Sequence, residues 1–95
     1  KKKGKRRGVL TSLQSIQATL IFFESPYRIA YFLDECGIFF PQRQVVLVRE
    51  LTKKFQEVRR FDSGSQAAAA AQEVSLKGEY TVLIQGGAAS GSKLE

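Results

Sequence analysis

The residues of this chain whose types suit chemistry fall into charged clusters: Glu24 with Arg28, Arg49-Glu50 with Thr52-Lys53, and Glu57 with Arg59-Arg60. A further, wholly basic run opens the chain, where Lys1-Lys2-Lys3-Gly4-Lys5-Arg6-Arg7 places six positive charges within seven residues. The net charge of the whole chain is +6, so the remainder is nearly neutral and the leading run sets the preference for an anionic partner such as nucleic acid. Lys1, Lys2, Lys3, Lys5, Arg6 and Arg7 are therefore candidate phosphate contacts, with binding that weakens steeply in salt; the alternative is a solvated tail. Each of the other clusters falls at a strand end or on an edge strand. There opposite charges either converge into a site at one rim of a sheet or merely pair and cap one another.

Several chemistries are excluded. With no His and a single Cys36, neither a zinc site nor a Cys/His nucleophile pair can form, and no metal is expected. Gly86-Gly87 closes a strand without opening a helix, so there is no glycine-rich phosphate loop, and no motif names a catalytic residue. No apolar run reaches the roughly 18 residues of a membrane span, and nothing resembles a signal peptide. A lone cysteine on an apolar helix face fits a core residue in a reducing compartment, hence a cytoplasmic protein with no membrane partner. At 43% hydrophobic and 25% charged residues, a single globular domain is expected.

The elements that must position these residues follow from hydrophobic spacing. Val9, Leu10, Leu13 and Ile16 predict a short amphipathic helix over about 6–16. Thr19-Leu20-Ile21-Phe22-Phe23 predicts a buried strand over about 18–23. Ser25 as N-cap and Pro26 at the first helical position open a helix over about 25–36, with Ile29, Phe32, Leu33 and Cys36 on its apolar face and Gly37 as its stop. Gln44 to Arg49 is a second strand, apolar on both faces and so central; Phe55 to Phe61 is a half-charged third strand at an edge. Asp62 to Ser65 cap an alanine-rich helix over about 66–76, ended by Lys77-Gly78, and Tyr80 to Ile84 is the fourth strand. The fold class is α/β of the α+β kind: a β-α-β-β-α-β core preceded by a short helix, with helices on one face of a four-stranded mixed or antiparallel sheet. Residues 1–87 make the domain. Residues 88–95 are a small-residue tail whose closing Leu94-Glu95 looks like a cloning remnant.

Four motifs in register carry a resemblance: Phe23-Glu24-Ser25-Pro26-Tyr27-Arg28, Arg49-Glu50-Leu51-Thr52-Lys53, Glu57, and Lys77-Gly78-Glu79. Together with the lysine-rich lead they resemble the tetrapyrrole (corrin/porphyrin) methylase superfamily, and within it the ribosomal RNA small subunit methyltransferase I branch, over about residues 1–87. The resemblance implies the second, C-terminal domain of a two-domain enzyme that holds S-adenosylmethionine mainly on its first domain. It implies 2′-O-methylation of a cytidine in small-subunit ribosomal RNA, a fragment inactive alone, a possible homodimer in the native assembly, and a strand order of 1-4-2-3. A ferredoxin-like order, 4-1-3-2, satisfies the same connectivity. It also implies a substrate or cofactor cleft among Glu24, Ser25, Pro26, Tyr27, Arg28, Arg49, Glu50, Thr52, Lys53 and Glu57. Phe55-Gln56-Glu57 stands where the branch usually has His-Glu-Glu, and Gln85 where an acidic residue is frequent. Two alternatives stay open: a methylase of a tetrapyrrole or other small substrate, and a stand-alone basic RNA-binding module.

Overall fold

The computed structural model describes residues 2–86, with side chains from residue 4 onward. Lys1 and the tail expected over 88–95 lie outside the described residues. Four strands, β1 (Leu20–Glu24), β2 (Val45–Glu50), β3 (Gln56–Phe61) and β4 (Glu79–Ile84), form one sheet in the order β1-β4-β2-β3. Every neighbouring pair is antiparallel, so the sheet is not mixed, and the ferredoxin-like order is excluded. Because β1 and β2 both oppose β4, they run the same way and end at the same rim. There Glu24 and Arg49 are both opposite Tyr80.

One face of the sheet is covered. Val45 and Leu47 of β2, Phe61 of β3, and Tyr80, Val82 and Ile84 of β4 point inward and are buried together with residues of all three helices. α2 (Ile29–Phe39) supplies the largest share: Ile29, Phe32, Leu33 and Cys36 are fully buried, at about 1.5–3 kcal/mol for each large side chain. The Phe22 and Phe32 rings meet with centroids 4.8 Å apart, which ties β1 to α2. The other face carries Ile21, Phe23, Val46, Val48, Val58 and Leu83, and Phe23 is 80% exposed. β2 is central in the sheet, as its apolar run predicts, yet only one of its two faces lies under helices.

The helices depart from expectation at their ends. α1 runs Lys2–Leu13, not 6–16, since Lys and Arg are good helix formers and carry the helix back through the basic run. Of its expected apolar face Leu10 is buried and Leu13 half-buried, while Val9 and Ile16 are exposed. Residues 25–28 form a hydrogen-bonded turn in which the Ser25 carbonyl accepts from the Arg28 and Ile29 amides, so α2 begins three residues after Pro26 with no side-chain cap. Gly37 lies inside α2 rather than ending it. A Cβ there would stand 2.7 Å from the Ala68 Cβ, so its role is to let α2 approach α3 (Gly64–Ala69). The stop falls at Phe40, just before Pro41.

α3 is shorter than the predicted 66–76. Ser63 caps it by accepting from the Gln66 amide, but after Ala69 the chain tightens to a 3₁₀ turn over Ala71–Glu73 and is extended by Val74. An alanine helix buries little per turn, and the chain must reach the start of β4. Lys77-Gly78 therefore belongs to the entry into β4: Gly78 has φ +90°, and a Cβ on it would meet the Glu50 carbonyl at 2.7 Å.

Candidate functional site

The inward-facing row that closes the sheet at this rim is Glu24, Tyr80, Arg49 and Glu57, one residue from each strand. The row divides into two charge clusters. At the β1 end Arg6 of α1 donates from Nη2 to Glu24 Oε2 at 2.7 Å and from Nε to Glu35 Oε1 at 2.8 Å. Its guanidinium lies 5.3 Å from the Phe32 ring centroid. The two carboxylates are 8% and 3% exposed, and Glu35 Oε2 is buried with no hydrogen-bond partner. Burial works to lower the Arg6 pKa, but the hydrogen bonds and charges of Glu24 and Glu35 outweigh it and raise the value above its ordinary one. Burial first, then the charges of Glu35 and Glu24, push the neighbouring Cys36 thiol up to about 12, so it is a neutral core group and not a nucleophile.

At the β3 end Arg49 meets Glu57 at 2.9 Å and donates from Nη1 to the Lys77 carbonyl at 3.4 Å. Between the two clusters the Tyr80 hydroxyl donates to the Ser75 carbonyl at 2.8 Å, and burial raises its pKa. Thus Glu24 and Arg49 reach one rim but pair with other partners, not with each other.

The remaining sequence candidates are dispersed. Glu50 is exposed on the outer face, directly opposite Glu79. Thr52 Oγ1 accepts from the Lys54 and Phe55 amides and so holds the β2–β3 turn. Lys53 is exposed in that turn, and Pro26 and Ser25 belong to the turn before α2. Tyr27 is 82% exposed. Of the basic run, Arg6 turns inward, Lys5 and Arg7 are exposed on α1, and Lys2 and Lys3 are placed in the helix backbone. Lys5, Arg6 and Val9 of α1 and Arg28 at the head of α2 together line one open cleft of about 370 Å³. Among the described residues neither Lys5 nor Arg28 has an ion-pair partner. Sequence reasoning passed over Glu35. The signal was its position seven residues after Arg28, which puts the two on one stripe of α2 facing the basic helix.

Over all 95 residues the chain is 36% identical to the ribosomal RNA small subunit methyltransferase I of Halalkalibacterium halodurans, of which it spans 32%. Over 86 residues, 90% of the chain, it is 41% identical to the protein of that name from Streptococcus pyogenes serotype M3 and 37% identical to that from Micromonospora olivasterospora. The chain is a homologue of one stretch of these methyltransferases. It spans between 28% and 32% of their lengths, and the match to the Halalkalibacterium halodurans protein, which covers the whole chain, takes in both charge clusters and the basic helix. No family model matches the chain.

The cofactor that such methyltransferases imply does not fit the cleft described above. S-adenosylmethionine presents a sulfonium and an ammonium beside its carboxylate and needs acceptors for them. The lining offers three cations and a valine, while Glu24 and Glu35 are closed off by Arg6. Among the described residues no helix is long and apolar enough to cross a membrane, and no group of three or more side chains could hold a metal ion.

Proposed function

We propose that the chain is the second, C-terminal domain, residues 1–87, of a cytoplasmic S-adenosylmethionine-dependent methyltransferase that modifies a cytidine 2′-hydroxyl in small-subunit ribosomal RNA. The observation that carries this is the similarity to ribosomal RNA small subunit methyltransferase I over the whole chain and about a third of that protein. In this arrangement the remaining part of the enzyme holds the methyl donor, and this domain presents charge to RNA from α1 and from the turn before α2. Methyl transfer needs the donor sulfur, the methyl carbon and the ribose oxygen in line, so a domain that fixes the RNA backbone contributes by positioning. The lack of acceptors in this cleft supports the view that the cofactor is not held there, and we infer that this domain alone does not methylate. The bare outer face of the sheet, with Ile21 and Phe23 exposed, supports burial against protein in the native assembly, for which we infer a homodimer.

The test is to incubate the intact protein with small ribosomal subunits and S-adenosylmethionine, then digest the RNA to nucleosides for mass spectrometry. The expected product is 2′-O-methylcytidine. Methylation of a base, or of a tetrapyrrole in place of RNA, would overturn the assignment. Residues 1–87 alone should give no product, and sedimentation of the intact protein at monomer mass would remove the homodimer.

A further inference from the structure

The geometry points to the cleft between α1 and the head of α2 as a phosphodiester subsite for an unpaired stretch of RNA, with Lys5 and Arg28 as its two ligands. This rests on the RNA reading above and names the atoms that serve it. The inference comes from how the four lining residues divide. Arg6 is not a ligand, since both of its acceptor partners are carboxylates held within the protein at 2.7 and 2.8 Å. Its role is positioning: it fastens α1, 18 residues away in sequence from Glu24 and 29 from Glu35, so that Lys5 is carried to the same cleft as Arg28.

What remains free in the cleft is one ammonium and one guanidinium, both exposed and both without an ion-pair partner among the described residues. The guanidinium can grip two phosphate oxygens at once, and the ammonium adds a compact second charge. One structural detail favours the backbone of a nucleic acid over a small anion. Val9, half-exposed, gives the cleft an apolar wall against which a sugar can rest. Arg28 immediately precedes α2 and gives it no side-chain cap, so the positive end of an 11-residue helix lies beside the cleft and adds attraction for phosphate. Tyr27, next to Arg28 in the chain and 82% exposed, offers a ring on which an unpaired base can stack, which selects single strands over duplex.

The experiment is fluorescence anisotropy of the intact protein with a short labelled single-stranded RNA, repeated over a salt series. Lys5→Ala and Arg28→Ala should each weaken binding about threefold to tenfold and each reduce the slope of log affinity against log salt by about 0.7. Tyr27→Ala should weaken binding without changing that slope. Arg60→Ala removes the same charge from the outer face of the sheet and should change affinity less than about twofold. All four substituted side chains lie at the surface, and circular dichroism melts confirm that each variant folds. Equal losses from Arg28→Ala and Arg60→Ala would replace the cleft by diffuse attraction and overturn the proposal. So would displacement of the RNA by duplex DNA or by anionic vesicles at equal charge. Methylation is scored in parallel. Full methylation by Arg28→Ala and Lys5→Ala sinks the cleft and leaves the methyltransferase standing. Binding that depends on the cleft, with no methylation of any RNA, does the reverse.

Discussion

Arg6 and Arg49 stand at opposite ends of one rim, each held by acidic side chains, but the first is shared by two nearly buried carboxylates and the second by one that is 54% exposed. The difference decides what each pair is for. Around Glu57 water screens the charge and can take the place of this carboxylate on Arg49, so the contact adds little to stability. Around Glu24 and Glu35 no water stands in for the guanidinium, and Arg6 is obligatory to the fold once the acids are inside. Of two arginines that look alike in sequence, and that are both largely covered, one is therefore required by buried acids and the other meets an exposed acid that water can replace.

The comparison is broken most directly by Arg6→Ala, which strands two buried carboxylates. About 3–5 kcal/mol of stability should be lost in urea unfolding, a large fraction of what a domain of this size has. Replacing Arg6, Glu24 and Glu35 together by apolar residues of similar volume should restore most of it. A loss below about 1 kcal/mol for Arg6→Ala would mean that water reaches the acids after all.

The same cluster is sharpened by alkali. Cys36 ionises at an ordinary 9.0 when unfolded and at about 12 in the fold. Between these values the unfolded chain has lost a proton that the folded one keeps. Stability from this group is thus complete below pH 9 and falls as pH rises toward 12, by roughly 4 kcal/mol in all. Unfolding titrations of the chain against Cys36→Ala should separate this loss from the titration of tyrosine and lysine. Parallel curves would refute it.

At the other end of the rim, Glu57→Ala should cost no more than about 1 kcal/mol, and raising the salt should erase the difference. The smallest effect concerns the outer face, where Glu50 and Glu79 are directly opposed with like charge. Glu79→Lys should stabilise by about 0.2–1 kcal/mol, read as a small rise in melting temperature at low salt.

Much of this was legible in the chain. The spacing of Ile29, Phe32, Leu33 and Cys36 named the apolar residues that α2 buries most fully, though not Glu35 beside them, because a helix repeats its faces whatever surrounds it. Three apolar runs and one half-charged run named the four strands to within a residue or two, and the charges of the last named β3 as an edge. Strand order came from the resemblance, since connectivity alone allows two arrangements. Helix ends were poorly legible. Ser25-Pro26 carries strong start signals yet forms a turn, and Gly37 carries a stop signal yet serves a close approach to Ala68. Signals of this kind state only what a residue permits locally, and packing against another element chooses among the permitted uses.

The site divides along the same line. Sequence alone determined that the chain is basic at its start, that Glu24 and Arg49 fall at strand ends with Arg28 where a strand passes into a helix, and that its side chains can build neither a zinc site nor a Cys/His pair. Only the tertiary structure decided that Arg6 faces inward while Lys5 faces a cleft, that Arg28 lines the same cleft, and that Glu35 is a buried acid. Charges of one sign along a helix are interchangeable until something folds against it. The carboxylates that distinguish Arg6 from its neighbours lie 18 and 29 residues away, and their positions are fixed by how β1 and α2 bury their apolar faces.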